Sequence, residues 1–267
     1  MSGFQIKTYT IKTKKLKKGC KVTFALLADL HNKEYGPENQ QLIQAVKELK
    51  PDAILVAGDM LIGHTRHSFL PAQKLVWALQ REAAPVYYGN GNHESRMRTE
   101  TAIYKDLYER YMGPLRQAGV TELVNESAKM SVAGGRIQIH GFELSQSYYG
   151  KFRQLPLTEA DVARTLGEPK EDAYHILLAH NPVYFDAYAA WGADLTVSGH
   201  LHGGIIRLPF LGGVITPQAR LFPKYDRGLF WKGEKAMVVS PGLGTHTINV
   251  RIFNPAQLIE LKLEGEA

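Results

Sequence analysis

The sequence predicts an α/β fold, and three observations carry that prediction. Short apolar runs that read as buried strands recur at residues 21–28, 53–57, 84–88 and 174–179. Helical spacing fills the gaps between the first of them, in the βαβ order of a right-handed crossover. Partway along, the pattern shifts to a hairpin, with 127–132 and 136–140 as arms around Gly134-Gly135. A second sheet is the economical explanation.

In order, residues 6–11 alternate loosely and read as a strand. Residues 21–28 follow as a near-continuous apolar run, and so as a buried strand. It ends in Asp29-Leu30-His31. Leu42, Ile43, Val46 and Leu49 have helical spacing within 37–49. The strand at 53–57 ends in Gly58-Asp59. Residues 60–69 read as a loop whose His64 and His67 are either simply exposed or face substrate, and 71–80 as a helix. The strand at 84–88 ends in Gly89-Asn90-Gly91-Asn92-His93-Glu94. A simple Asn-Gly turn would need Asn90 and Gly91 but not the triplet after them. Residues 99–115 are expected to be one amphipathic helix, and 120–124 a strand. His140 lies in a hairpin arm and reads as structural.

Residues 145–157, with Tyr148, Tyr149 and Phe152, read as a surface loop that could act as a lid. Thr158 followed three residues later by Asp161 marks the start of a helix over 158–166. The strand at 174–179 ends in His180-Asn181-Pro182, and His175 inside it is expected to pack. The run Asp194-Leu195-Thr196-Val197 leads into Ser198-Gly199-His200-Leu201-His202-Gly203-Gly204. In an extended segment those two histidines would point the same way. Residues 237–240, 250–253 and 258–261 are the remaining predicted strands. No repeat, linker or low-complexity segment divides the chain, so a single domain over 1–267 is expected.

The 267 residues can bury a sizeable core without staples. The single cysteine, Cys20, excludes an intramolecular disulfide and any multi-cysteine zinc site. No run approaches the roughly 18 apolar residues of a membrane span. Lys12, Lys14, Lys15, Lys17 and Lys18 interrupt the N-terminal region too early for a secretory core, so no leader is expected. The net charge of +6 is a mild basic excess. It is compatible with attraction to phosphate-bearing surfaces or anionic lipid. No aromatic-and-basic nucleic-acid platform is visible.

The chemistry lies in five clusters, each placed directly after an apolar strand: Asp29/His31, Asp59, Asn92/His93, His180 and His200/His202. The carboxyl ends of strands are where open α/β sheets bind ligands. Carboxylate, imidazole and amide groups suit Mn, Fe, Zn or Mg, and the missing thiolates argue against structural zinc. Eight such groups are too many for one ion with open positions. They suit two ions sharing a bridging carboxylate.

The ordered set Asp29-Leu30-His31, Gly58-Asp59, Gly91-Asn92-His93-Glu94, His180 and Gly199-His200-Leu201-His202 resembles the calcineurin-like metallophosphoesterase superfamily. Arg207-Leu208-Pro209, residues 221–225 and Gly242-Leu243-Gly244 further resemble its bacterial subfamily of predicted phosphohydrolases. The resemblance implies a four-layer α/β/β/α sandwich of two mixed sheets, with a binuclear metal site at strand ends. It implies that Asp29, His31 and His202 bind one divalent ion, that Asn92, His180 and His200 bind the other, and that Asp59 bridges them. Asp59 and His93 are then the catalytic residues. A metal-bridging hydroxide attacks phosphorus, and His93 donates a proton to the leaving group. Glu94 either orients its neighbours or caps a helix.

The expected enzyme is a binuclear, metal-dependent phosphoesterase acting on a phosphodiester or pyrophosphate-type bond. The alternatives are a phosphomonoesterase or protein Ser/Thr phosphatase, and a non-catalytic binding module on the same fold. The expected partner is a small-molecule or lipid-linked phosphate ester, not nucleic acid. The expected location is cytoplasmic, with peripheral contact at the inner membrane face left open through the lysines and an apolar loop around Leu208, Phe210 and Leu211. Two features depart from the resemblance. Pro241 stands where many relatives have arginine, and no membrane anchor is seen. His246 is a further candidate for the substrate pocket.

Overall fold

A computed structural model describes residues 3–150, 155–170, 172–204, 206–208, 212–215, 223–245, 251 and 253–266. The chain begins with β1 (Phe4–Thr13) and β2 (Lys21–Leu27), then α1 (Gln40–Leu49), β3 (Ala53–Ala57), α2 (Leu70–Glu82) and β4 (Val86–Gly89). Three helices follow, α3 (Asn92–Thr99), α4 (Thr101–Tyr104) and α5 (Leu107–Gln117). Next come β5 (Thr121–Leu123), the hairpin β6 (Glu126–Val132) and β7 (Gly135–Gly141), α6 (Glu159–Leu166), β8 (Tyr174–Leu178), α7 (Phe185–Trp191) and β9 (Leu195–Ser198). The chain closes with β10 (Ile206–Leu208), β11 (Gly212–Ile215), β12 (Gly228–Lys232), β13 (Lys235–Val239) and β14 (Ala256–Gly265).

Two six-stranded sheets result, in the orders β1-β14-β2-β3-β4-β5 and β12-β13-β9-β8-β7-β6. In the first, β2 to β5 run parallel, and β14 inserts antiparallel to β2 with Ile259 opposite Leu26. In the second, β7, β8, β9 and β13 are mutually parallel, and only the β6–β7 and β12–β13 pairs are antiparallel. The second sheet is thus mixed rather than antiparallel beyond its hairpin. The reason is local: α6 and α7 are crossover connections, and a crossover returns the chain in the same direction.

Side-chain alternation builds the layers. Along β3, Ile54 and Val56 pack against α1 and α2, while Leu55 faces the second sheet. Along β8, Ile176 joins Phe24, Leu26 and Val197 between the sheets, and Leu177 packs with Val162, Tyr188 and Trp191 beneath α6 and α7. The order is helices, sheet, sheet, helices. Strands covered on both faces read as unbroken apolar runs, which made them visible in the sequence. Each fully buried branched side chain here contributes about 1.5–3 kcal/mol relative to exposure.

Some expected elements differ. The single helix expected over 99–115 is three helices, and the first begins at Asn92, so Asn92, His93 and Glu94 form a helical first turn. Lys105, at φ 51°, breaks the run. The strand β12 was not anticipated, since its side chains are only half-buried or exposed and give weak apolar contrast. The apolar loop expected around Leu208, Phe210 and Leu211 overlaps β10 and is followed by β11, which form an antiparallel pair. Phe210, Leu211 and His246 lie outside the described residues, as do the side chain of Leu208 and residues 250 and 252 of the strand expected over 250–253. Arg251 and Phe253 are described and belong to no strand.

Among the described residues, no helix is long and apolar enough to cross a membrane. Lys14, Lys15, Lys17 and Lys18 join β1 to β2 at the start of β2, whereas Asp29 follows its end. The basic cluster and the acid–histidine cluster therefore occupy opposite ends of that strand.

Candidate metal centre

Among the described residues, the acids and histidines of all five clusters lie at the strand ends facing the gap between the two sheets. Asp29 and His31 follow β2, Asp59 follows β3, His93 opens α3 after β4, His180 follows β8, and His200 and His202 follow β9. His64 and His67 stay exposed on their loop. The backbone at these ends is strained: Asp29, His31, Asp59, His200 and His202 all have positive φ, between 49° and 72°. For residues with a Cβ this conformation costs of order 1 kcal/mol or more, and it clusters at functional sites. It also corrects the reading of the His-x-His segment as extended.

Three groups of ligand-type atoms result, each mutually within 4.8 Å: Asp29/His31/His202, Asp59/His180/His200 and His31/Asp59/His93. His31 Nε2 and His202 Nε2 stand 3.1 Å apart, and Asp29 Oδ1 is 3.6 Å from His202 Nε2 and 3.8 Å from His180 Nε2. His180 Nε2 is 3.1 Å from Asp59 Oδ2. All these residues are buried.

Hydrogen bonds outside the cluster set the tautomers. His180 Nδ1 donates to the Ala57 carbonyl at 2.6 Å. Its neutral form therefore turns a lone pair on Nε2 toward two carboxylates, an arrangement that is stable only with a cation between them. Without a metal, a proton serves. Burial opposes a charged His180, but Asp59 and Asp29 prevail and push it up to about 10. The Asp59 carboxyl is likewise opposed by burial, yet His180 and His93 hold it well below the usual range. Burial dominates at Asp29 and, with Asp59 adding repulsion, raises it to about 7. His93 differs. Its Nδ1 accepts the Gly63 N–H at 2.9 Å, so the neutral ring carries its proton on Nε2, which lies 4.0 Å from Asp59 Oδ2.

These residues fit a divalent cation. The donors are oxygen and imidazole nitrogen, with no thiolate. The Asn92 Oδ1 is buried and accepts no hydrogen bond, a cost that a cation would remove. Asn92 is held by its backbone, whose carbonyl accepts from Gln146 Nε2 at 3.0 Å.

The scaffold beneath is largely Glu94. It is fully buried and accepts from the backbone N–H of Asp59 (2.9 Å), Met60 (2.9 Å) and Gly91 (3.1 Å) and from the Tyr88 hydroxyl (2.8 Å). It thus caps α3 and holds the Asp59 loop at once, so both readings of Glu94 hold. Gly91 is required by close approach: a Cβ there would lie 2.5 Å from the Asp59 nitrogen and closer still to its Oδ1. The Asp59 carboxylate occupies that space and accepts the His93 N–H at 2.9 Å.

Two residues, Asn254 and Arg251, carry no site role in the sequence reading, and a third, Tyr149, is expected there only as part of a surface loop. Asn254 is buried, donates to the carbonyls of His202 (2.5 Å) and Gly204 (2.8 Å), and fixes the histidine loop. The Asn-Pro pair at 254–255, a turn signal, was its only trace. Tyr149 sets its ring edge-on to His200, centroids 4.9 Å apart, and walls the site. Arg251 donates through Nη2 to the carbonyls of Gly242 and Gly244, the segment preceded by Pro241.

Comparison with known proteins follows this geometry. The family model for calcineurin-like phosphoesterase matches residues 22–204. The metallophosphoesterase YkuE of Bacillus subtilis is 27% identical over 245 residues, covering 89% of this chain and 77% of that protein. The phosphodiesterase YaeI of Escherichia coli is 28% identical over 222 residues, covering 82% and 74%. The structure of TT1561 from Thermus thermophilus shares the fold, with a TM-score of 0.52, 10% identity and coverage of 84% and 90%. The matched region contains all five clusters, and the chain belongs to the calcineurin-like phosphoesterase family.

Proposed function

We propose that this protein hydrolyses a phosphodiester or pyrophosphate-type bond in a small-molecule or lipid-linked substrate, with two divalent metal ions as cofactors. The observation that carries this reading is the placement of Asp59 in two of the three ligand groups, beside a His93 whose Nε2 proton faces the cluster. Asp29, His31 and His202 would hold one ion, Asn92, His180 and His200 the other, and Asp59 both. When bound, such ions supply the charge that activates water and offsets negative charge on the phosphoryl oxygens.

The chain's own residues supply the rest. Glu94 and the Gly63 N–H fix Asp59 and His93 in place, so little reorganisation is needed at the reacting centre. In the net step, a water oxygen bonds to phosphorus and one ester P–O bond breaks. The His93 Nε2–H, on a ring whose Nδ1 already accepts from Gly63, would donate a hydrogen bond to the departing oxygen while staying neutral, and the proton that oxygen gains is the one released by the attacking water. The phosphodiesterase relative supports a diester over a monoester.

Membrane contact through the lysines would turn the cluster away from the lipid. A lipid-linked substrate would therefore have to be presented by another surface.

The test is turnover of bis(p-nitrophenyl) phosphate and p-nitrophenyl phosphate by metal-stripped protein, with Mn, Fe, Zn or Mg added back and Asp59→Asn as control. Metal-dependent turnover favouring the diester is expected. A preference for the monoester overturns the choice of bond. Equal turnover by Asp59→Asn overturns the assignment of the site.

A further inference from the structure

We propose that Arg251 and Lys33 form a subsite for a second anionic phosphoryl group of the substrate, on the His31/His202 side of the metal centre. This deepens the reading above and rests on it: among the bonds named there, it selects substrates that carry two charged phosphoryl groups.

Arg251 is half-buried, and among the described residues its hydrogen bonds go to no carboxylate. Among the described residues its guanidinium is met by peptide carbonyls: Gly242 and Gly244 through Nη2, and Asn254 at 3.5 Å from Nη1. Its Nε is buried with no hydrogen-bond partner. A buried cation without an anionic partner is costly. Asp29 attracts it at longer range but is the same carboxylate assigned to a metal ion.

The charge borders the reacting centre. The place a Cβ would take on Gly242 is 3.2 Å from Arg251 Nη2, 3.3 Å from His202 Nδ1 and 2.7 Å from Asp29 Cβ. A second cation stands on the same shoulder. Lys33 follows His31 by two residues, and its Nζ sits 4.6 Å above the Tyr35 ring. The Tyr35 hydroxyl donates to the Leu243 carbonyl, between the two carbonyls that Arg251 holds. Lys33, Tyr35, the Gly242–Gly244 segment and Arg251 are therefore joined by one chain of contacts, in which Tyr35 and the segment are buried and the two cations at its ends are half-buried. The two like charges repel each other. An anion between them would relieve both that repulsion and the isolation of Arg251. An ordinary phosphodiester has one charged phosphoryl group, which the metal centre takes. The group reaching this shoulder must be another.

Calorimetry on metal-loaded protein tests this with two non-hydrolysable ligands. Ethyl(methyl)phosphinate carries one anionic phosphoryl group, and methyl(3-phosphonopropyl)phosphinate carries two, with P–C bonds in place of every ester bond. The second should bind about tenfold tighter at low ionic strength, and salt should reduce the preference. Lys33→Gln and Arg251→Gln should each cut that preference threefold or more. If Arg251→Gln fails to fold, Lys33→Gln carries the test alone. Equal binding of the two ligands, or a preference unchanged in the folded variants, overturns the subsite. Diester turnover is assayed in parallel. Turnover without the preference refutes the subsite alone, and the preference without turnover refutes the hydrolytic reading alone.

Discussion

Replacing Glu94 by glutamine keeps the shape of the side chain and removes half of its acceptors. In the native protein, one carboxylate oxygen accepts from the Asp59 and Gly91 N–H groups and the other from the Met60 N–H and the Tyr88 hydroxyl. The glutamine amide would turn its NH2 toward the second pair, since the Tyr88 hydroxyl can rotate to accept. The Met60 N–H would then face another donor inside the protein. One unsatisfied buried donor costs about 1–3 kcal/mol, and loss of charge on the remaining bonds adds of order 1 kcal/mol. We expect a loss of about 3 kcal/mol, a downward shift of roughly 1 M in the urea midpoint of a protein of this size. The comparison belongs at pH 8. Burial, with repulsion from Asp59, raises the Glu94 carboxyl to about 7, so it is ionised there. Because Glu94 also holds Asp59, metal affinity should fall about 10–100-fold, as for other groups that orient a ligand. A midpoint within 0.2 M of the native value (the ~0.5 kcal/mol expected of an inert surface change) would refute the claim that Glu94 organises the site.

Other expectations follow from the same geometry. Gly91→Ala should displace the Asp59 carboxylate and lower diester turnover about 100-fold through misplacement of the reacting groups, read from kcat/KM in saturating metal. Asn254→Ala should weaken the ion proposed at Asp29, His31 and His202 by about tenfold or more, seen as one of the two proposed metal equivalents lost on dialysis; loss of neither refutes its role. Burial, with repulsion from His175, pushes His140 down to about 3, so the unfolded chain binds the extra proton between about pH 6.5 and 3. Stability from this group is complete above pH 6.5 and is lost as pH falls, by about 2 kcal/mol at pH 5. His140→Gln should flatten that part of the difference in stability between pH 7.5 and 5, measured by urea unfolding in chelator. An identical pH dependence in the variant would refute it.

The sequence by itself determined the ligand types and the strand ends that carry them. Both faces of β2, β3 and β8 are buried, so those strands are written as apolar runs, and their ends fall at Asp29, Asp59 and His180 without reference to anything distant. A cap is also local, which is why Thr158 and Asp161 marked α6 and were found hydrogen-bonded to each other. Helix breaks were less legible: the split of α3, α4 and α5 depends on backbone angles at Glu100 and Lys105, residues with no turn signature.

Tertiary structure decided which groups meet. His31 and His202 touch across 171 residues of chain, and the direction of each imidazole is set by carbonyls and amides such as those of Ala57 and Gly63. The helical first turn at Asn92 arises because Glu94 bonds to a strand end 34 and 35 residues earlier. Asn254 and Arg251 reach the site only because β14 inserts beside β2 and returns their loop to the ends of β2 and β9. A hydrogen bond between distant segments leaves no period or spacing in the sequence. The chain therefore announces the chemistry its strands deliver, while the fold alone determines what holds that chemistry in place.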